Sequence, residues 1–202
     1  MSQIPDSTTS RRALLGSALG LGGAALALSA ATGEASAATI PSDPSSGFFL
    51  TIPGIPGEST DAQFPKTIDL LTWSFGVTSS VVSTTTGPAT DKSKPSSFVF
   101  VARASKASPK LMLTVATGKH LDVVTLDAAF RGEVPINYLR VKLETVAVTS
   151  YQVAPGEQDG WPLDVVRMDY RKITTTYTPQ NPNGSPGTPI TVGFDFGTNK
   201  SL

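Results

Sequence analysis

Phe48–Phe75 reads FFLTIPGIPGESTDAQFPKTIDLLTWSF, and this stretch decides the fold. Phe48–Ile52 is a short apolar run of strand character. Pro53-Gly54-Ile55-Pro56-Gly57 must then turn the chain, because proline denies helix and glycine opens tight turns. The segment to Pro65 is polar and loop-like. Thr67–Ser79 is again a strand. Its residues alternate, Ile68, Leu70, Thr72 and Ser74 against Asp69, Leu71, Trp73 and Phe75. The second set is the apolar one from Leu71 onward, and Gly76 marks a bend or bulge. Trp73, in mid-strand, is expected in the core or at a barrel interface.

The same grammar continues outward. Ser97–Ala102 is a strand with Phe98 and Phe100 on one side. Lys106–Thr117 is the one helix expected. Ser108-Pro109 suits its start, Leu111, Val115 and Leu113 supply apolar positions, and Gly118 sits where a cap belongs. Leu121–Arg131 returns to strand. Ile136–Tyr151 alternates Leu139, Val141 and Leu143 with Arg140, Lys142 and Glu144. Its parity shifts at Thr145–Val148, which calls for a bulge or a change of buried face. Leu163–Tyr177 and Ile190–Phe196 are the last strands. Between them Thr178–Pro189, with four prolines and two glycines, must be loop. Ser83–Ser96 has no apolar residue larger than alanine or proline and is expected as an exposed loop, as is Val153–Pro162. This pattern describes a mainly β protein, an antiparallel β-barrel or sandwich with one short α-helix.

The first 37 residues are expected to be an export leader. Arg11-Arg12, followed by a Gly/Ala-rich apolar run, resembles a twin-arginine signal, an export address read by a receptor. Ala35-Ser36-Ala37 fits a small-residue cleavage site with Ala38 as the new N-terminus and no stable anchor after cleavage. The alternative is an uncleaved membrane anchor, since Ala13–Ala31 is nearly the ~20 residues that span a bilayer; the many glycines and the Ala-x-Ala favour cleavage. Residues 38–47 read as a flexible lead-in, and 48–202 as the barrel domain. The mature chain of about 165 residues is long enough to bury one core. The 16 basic and 16 acidic side chains balance. The leader removes two of each sign, leaving 14 against 14. That balance argues against a nucleic-acid partner or adhesion to anionic lipid. With no cysteine, disulfides, thiolate nucleophiles and thiolate metal sites are excluded.

No residue pattern supports catalysis. His120 is the sole histidine, and a Ser-His-Asp mechanism would have to use it. No serine sits in a Gly-x-Ser-x-Gly elbow. Asp122 and Asp127, two and seven residues after His120, form no recognised ligand set. Glu58 and Asp61 read as a solvated turn. Lys92, Lys94 and Lys106 read as solubility charges. Gly54, Gly57, Gly184 and Gly187 are turn glycines with no helix following to cradle phosphate. No cofactor or metal is expected. Trp161, in a loop beside Pro162, is the candidate assembly or binding contact.

Six segments in order carry a resemblance. They are I-x-G-I-x-G-E-S at Ile52–Ser59, L-T-W-S-F-G at Leu71–Gly76, the helix at Ser108–His120, Y-L-R-V-K-L-E at Tyr138–Glu144, K-I-T-T-T-Y-T-P-Q at Lys172–Gln180 and the terminal F-D-F-G-T-N-K. Together they resemble the Hcp family, the hemolysin-coregulated ring and tube proteins of type VI secretion. The resemblance implies a β-barrel that assembles into homo-hexameric rings. It implies rings that stack into a hollow tube, with small cargo proteins or other secretion components as partners. Three features depart from the family. They are the leader, Trp161 where a small or polar residue is usual, and a Thr/Lys-rich Ser83–Ser96 loop. The pattern ends with the chain at Leu202, so no appended toxin domain is expected. The expected role is structural and non-enzymatic, outside the cytoplasm after twin-arginine export. The alternative is a secreted monomeric barrel that keeps the fold, has lost the ring and binds through its loops. A hydrolase resting on His120 ranks last.

Overall fold

A computed structural model describes residues 46–84, 87–90, 92–130, 136–156 and 160–202. The leader residues Arg11, Arg12, Ala35, Ala37 and Ala38 lie outside them. The elements in chain order are β1 (Ser46–Thr51), β2 (Ile68–Ser74), β3 (Val77–Thr78), β4 (Val81–Thr84), β5 (Gly87–Thr90), β6 (Lys94–Pro95) and β7 (Phe98–Arg103). They continue with α1 (Ser108–Thr117), β8 (His120–Phe130), β9 (Ile136–Ala154), β10 (Leu163–Tyr177), β11 (Ile190–Asp195) and β12 (Lys200–Ser201).

Six strands close into a barrel in the order β10-β7-β2-β1-β8-β9, and β9 pairs back onto β10. Each neighbouring pair is antiparallel. Closure satisfies the backbone groups that an open sheet would leave at its edges. β10 serves two neighbours on its other side. Leu163–Met168 pairs with β7, and Lys172–Tyr177 pairs with β11. The second half of β10 therefore runs past β7 while still paired with β9, and carries β11 and β12 as an extension.

The core fills with fully buried Phe98, Phe100, Leu50, Leu126, Leu143 and Met168, joined by Leu111 from α1. Each such side chain contributes roughly 1.5–3 kcal/mol relative to exposure. Helix α1 starts two residues later than the sequence suggests, with Pro109 in its first turn, where a missing N–H costs nothing. It ends at Gly118, whose φ of +64° reverses the chain while its N–H donates to Val115 O. Leu111 is buried and Val115 packs on the core, but Leu113 is 58% exposed.

Three sequence expectations are corrected. Thr67–Ser79 is not one strand; it breaks after Ser74 and resumes at Val77–Thr78. The bulge lies earlier than Gly76. Leu70 pairs with Ala102 and Thr72 with Val101, so Leu71 is the extra residue. That insertion flips the parity, leaving Ile68 and Leu70 inside, Leu71 outside, then Trp73 and Phe75 packed on the core. Ser83–Ser96 is not plain loop either. β4 and β5 form a hairpin and β6 pairs with β3, each as a separate two-stranded sheet. β7 is buried on both faces, with Phe98 and Phe100 fully enclosed and Val99 and Val101 nearly so.

The parity shift at Thr145 is real and is shared. On β9 the buried positions run Val141, Leu143, then Val146, Val148. Thr145 between them has φ +55°, a left-handed conformation costly to a β-branched residue. The neighbours change phase at the same level, from Leu121 to Val124 on β8 and from Tyr170 to Ile173 on β10. Leu121 and Tyr170 both pair with Val146, and Val124 and Ile173 both pair with Leu143. The ladders stay in register, so the three strands turn the corner together.

Candidate functional site

No catalytic constellation forms among the described residues. His120 opens β8 on the exposed surface and pairs through its backbone with Ala147. Asp122 is exposed on the same strand, whereas Asp127 is 4% exposed and committed elsewhere. Among the described residues no group of three His, Asp or Glu side chains could hold a metal ion. Asp61 caps its own turn, its Oδ1 accepting the N–H groups of Gln63 at 2.9 Å and Phe64 at 3.2 Å. Gly54 and Gly184 occupy positive φ, at +82° and +83°. Trp73 is half-buried, edge-on to Phe48 and stacked with Phe75, both at 5.9 Å.

The barrel wall and its extension are instead fastened by three buried carboxylates, of which sequence reading singled out only Asp127, as a metal-ligand candidate. Asp164 on β10 is 1% exposed. It accepts from Tyr151 OH at 2.9 Å and from Ser108 Oγ at the start of α1. Burial first, and then the bond to Asp164, pushes the Tyr151 phenol up to about 12. Asp127 on β8 accepts from Arg140 Nε at 2.6 Å and Asn137 Nδ2 at 2.5 Å, both on β9. Asp195 on β11 takes Arg171 Nε at 3.2 Å and the N–H groups of Gly197 at 2.8 Å and Thr198 at 3.1 Å. The available signal was an aspartate inside an apolar alternating run, as in Leu163-Asp164-Val165-Val166. A carboxylate is placed there only when partners surround it.

Two exposed apolar surfaces among the described residues bear on association. The first is the extension of β10, β11 and β12. Ile173 faces Phe194, Thr175 faces Val192 and Tyr177 faces Ile190 across the ladder, so these pairs share one face of the sheet. Ile173 is buried, while Val192, Ile190 and Tyr177 are 66%, 62% and 49% exposed. The core face of the barrel thus runs on past its rim into solvent. β12, at the end of the sheet, adds a free edge.

The second surface holds Trp161. The residue is 54% exposed, and its Nε1–H donates to Ala104 O at 2.9 Å. Ala104 N–H in turn donates to Pro162 O at 2.8 Å. The loop is clamped to the end of β7 from both sides. Beside the indole lies a groove of about 400 Å³ that includes Leu71, Asp69, Glu58 and Arg103. The bulge in β2 is what places Leu71, 50% exposed, in it.

Comparison with known proteins agrees with this architecture. Residues 49–177 match the family described as Type VI secretion system effector, Hcp. The chain is 27% identical over 154 residues to Protein hcp1 of Pseudomonas aeruginosa, covering 75% of this chain and 95% of that one. A solved type six secretion system protein superposes with a TM-score of 0.73 at 26% identity, over 77% of this chain and 99% of the other. A type VI secretion system effector from Yersinia pestis superposes at 0.59 with 30% identity, over 73% and 98%.

Proposed function

Because the chain belongs to the Hcp family of type VI secretion effectors, we propose that it is a non-enzymatic structural protein whose barrels join into a homo-hexameric ring around a lumen that takes small cargo proteins. The observation that carries this reading is the apolar face of Tyr177, Ile190 and Val192, which continues the core beyond the barrel rim. An exposed apolar sheet face next to a free strand edge favours association. A contact between two different surfaces of like subunits closes into a ring when its rotation divides a full turn.

The twin-arginine leader implies that the barrel crosses the membrane before the ring forms, since an export pore passes a compact monomer more readily than a hexamer. The chain is therefore secreted by that route and assembles outside the cytoplasm. Light scattering behind size exclusion on the mature form, Ala38–Leu202, tests the reading. A six-fold mass with rings in negative stain supports it. A stable monomer at micromolar protein overturns it and favours a secreted binding barrel, for which the clamped, exposed Trp161 would be the contact.

A further inference from the structure

We propose that the cleft between the Pro53–Thr67 loop and the outer side of the β1–β8–β9 wall binds a carboxylate carried on an aliphatic group, clamped by Arg140 and Lys66. The site needs only a single barrel, so it goes beyond the ring reading and stands apart from it.

The cleft arises from the way the loop is laid on the wall. Phe49 lies opposite Asp127, and Asp127 opposite Arg140, so the three share one face of the sheet. Their chain neighbours Leu50, Leu126 and Val141 belong to the core, so this face is turned outward. Phe49 is nonetheless fully buried, with Phe64 of the loop stacked on it at 4.4 Å between ring centroids. Between loop and wall a cleft of about 620 Å³ remains, within the range of small-ligand sites.

Its charges are arranged for an anion. Arg140, Lys66 and Asp127 are the charged residues of the lining. Asp127 is already met by Arg140 Nε at 2.6 Å and Asn137 Nδ2 at 2.5 Å. The bond through Nε fixes the guanidinium and leaves both Nη groups without a hydrogen bond among the described residues. Such a fork matches the two oxygens of a carboxylate. Lys66 has no ion pair among the described residues, which leaves the cleft one positive charge in surplus. Its φ of +61° is costly for a residue with a side chain. The loop imposes that conformation, because Gly57 N–H donates to Lys66 O at 2.8 Å and Lys66 N–H to Ser59 O at 2.9 Å. Strain of this kind persists where the surroundings fix a side chain for use.

The rest of the lining selects what carries the carboxylate. Ile52, Ile55, Pro56 and Pro65 form an apolar wall, which suits an aliphatic group and not a bare inorganic anion. A free aliphatic acid and the C-terminus of a peptide ending in an aliphatic residue share this chemistry. Gln63 and Thr51, also in the lining, could take a peptide amide that the free acid lacks.

Equilibrium dialysis of the full chain against dansyl-Ala-Ala-Leu tests the site. We expect the free-acid peptide to bind at least about tenfold more tightly than the same peptide with a C-terminal amide. Lys66→Asn removes the ammonium but suits a positive φ, so binding should weaken severalfold while the unfolding midpoint holds. Arg140→Lys keeps the charge and loses the fork, and should weaken binding about tenfold. Competition by 3-methylbutanoate as strong as by unlabelled peptide supports the site with a free acid as its ligand. Much weaker competition supports it with a peptide C-terminus. No binding at millimolar peptide overturns the proposal, as does equal binding of acid and amide. Inorganic phosphate competing as well as either carboxylate also overturns it. Light scattering on Lys66→Asn keeps the ring reading separate. A six-fold mass lost in that variant makes the cleft a contact between copies and sinks the ligand site, whereas binding by single barrels supports the site and sinks the ring.

Discussion

The phenol of Tyr151 donates to Oδ1 of Asp164 at 2.9 Å, on adjacent strands of the barrel wall. Ser108 Oγ donates to the other oxygen of the same carboxylate and accepts the N–H of Ser105 at 2.8 Å. One buried carboxylate therefore fastens α1 to β9 and β10. Asp164→Ala would strip partners from a half-buried phenol and a buried hydroxyl. We expect it to cost about 3 kcal/mol, and Tyr151→Phe about 1.5 kcal/mol, since hydrogen bonds to charged groups contribute in that range. Urea unfolding with an unchanged slope and a lowered midpoint would be the readout.

Tyr170 differs from Tyr151 in that its hydroxyl has no hydrogen-bond partner among the described residues. It is 6% exposed. Burial first, then the charge of Asp169, pushes it up to about 12 from an ordinary 10.0. A phenol whose folded value is raised contributes stability that is fully present below the unfolded value and is lost as pH rises through the folded one. Stability should therefore fall between pH 10 and about pH 12, with Tyr151 and Tyr170 both contributing. Tyr170→Phe should flatten that fall. It should also raise stability at neutral pH by about 1 kcal/mol, because an unpaired buried hydroxyl is removed. Unchanged or lower stability at neutral pH would mean the hydroxyl has a partner.

The strands were legible because their alternation is long. Leu163–Tyr177 is found as read, and Gly118 ends the helix as expected. The phase error at Leu71 has a physical cause. A bulge inserts one residue without altering composition, so the apolar run Leu70-Leu71 reads equally well in either phase. The β4–β5 hairpin is hard to read because, past Val81 and Val82, it is built of small residues whose pairing leaves no apolar signature. Barrel closure depends on which strands meet, and local pattern does not carry that. The extension's open face was hidden for the same reason. Ile190 and Val192 read as ordinary strand residues, and only the topology shows that nothing in the chain covers them among the described residues.

Gly57 is a turn glycine in sequence, but its requirement is space. A Cβ there would lie 2.2 Å from Thr67 O and 2.6 Å from Ile68 Cα, both backbone atoms. Its own N–H donates to Lys66 O at 2.8 Å, so the two segments cannot separate without losing that bond. Gly57→Ala should cost about 3 kcal/mol, the upper part of the range for overpacking. Gly54 has the opposite character, with φ +82° and open space around the missing Cβ. Gly54→Ala should cost about 1–2 kcal/mol from backbone strain alone. Thermal unfolding of the two variants side by side would rank them. Equal losses would show that conformation, not close approach, governs both turns.

Asp195 ties the extension to the barrel. It is 5% exposed, and burial alone would raise its pKa. The Thr198 N–H, the Arg171 guanidinium and the Gly197 N–H outweigh that and hold it below the usual 3.8. A carboxylate lowered in this way contributes stability above its unfolded value, and that contribution is lost as pH falls through the folded one. Acidification below about pH 4 should therefore loosen the turn between β11 and β12. Asp195→Asn removes the charge that Arg171 and the two N–H groups share. The six-strand barrel does not include β11 or β12, so its unfolding should change less than the placement of Ile190 and Val192. On the ring reading, Asp195→Asn should lower the six-fold mass toward single barrels at neutral pH while far-ultraviolet dichroism stays near wild type. Retention of the full mass would show that the extension keeps its place without Asp195, or that the ring contact lies elsewhere. Hydrogen exchange at Thr191–Gly193 would separate the two, since a loosened extension exchanges faster whether or not it is the contact.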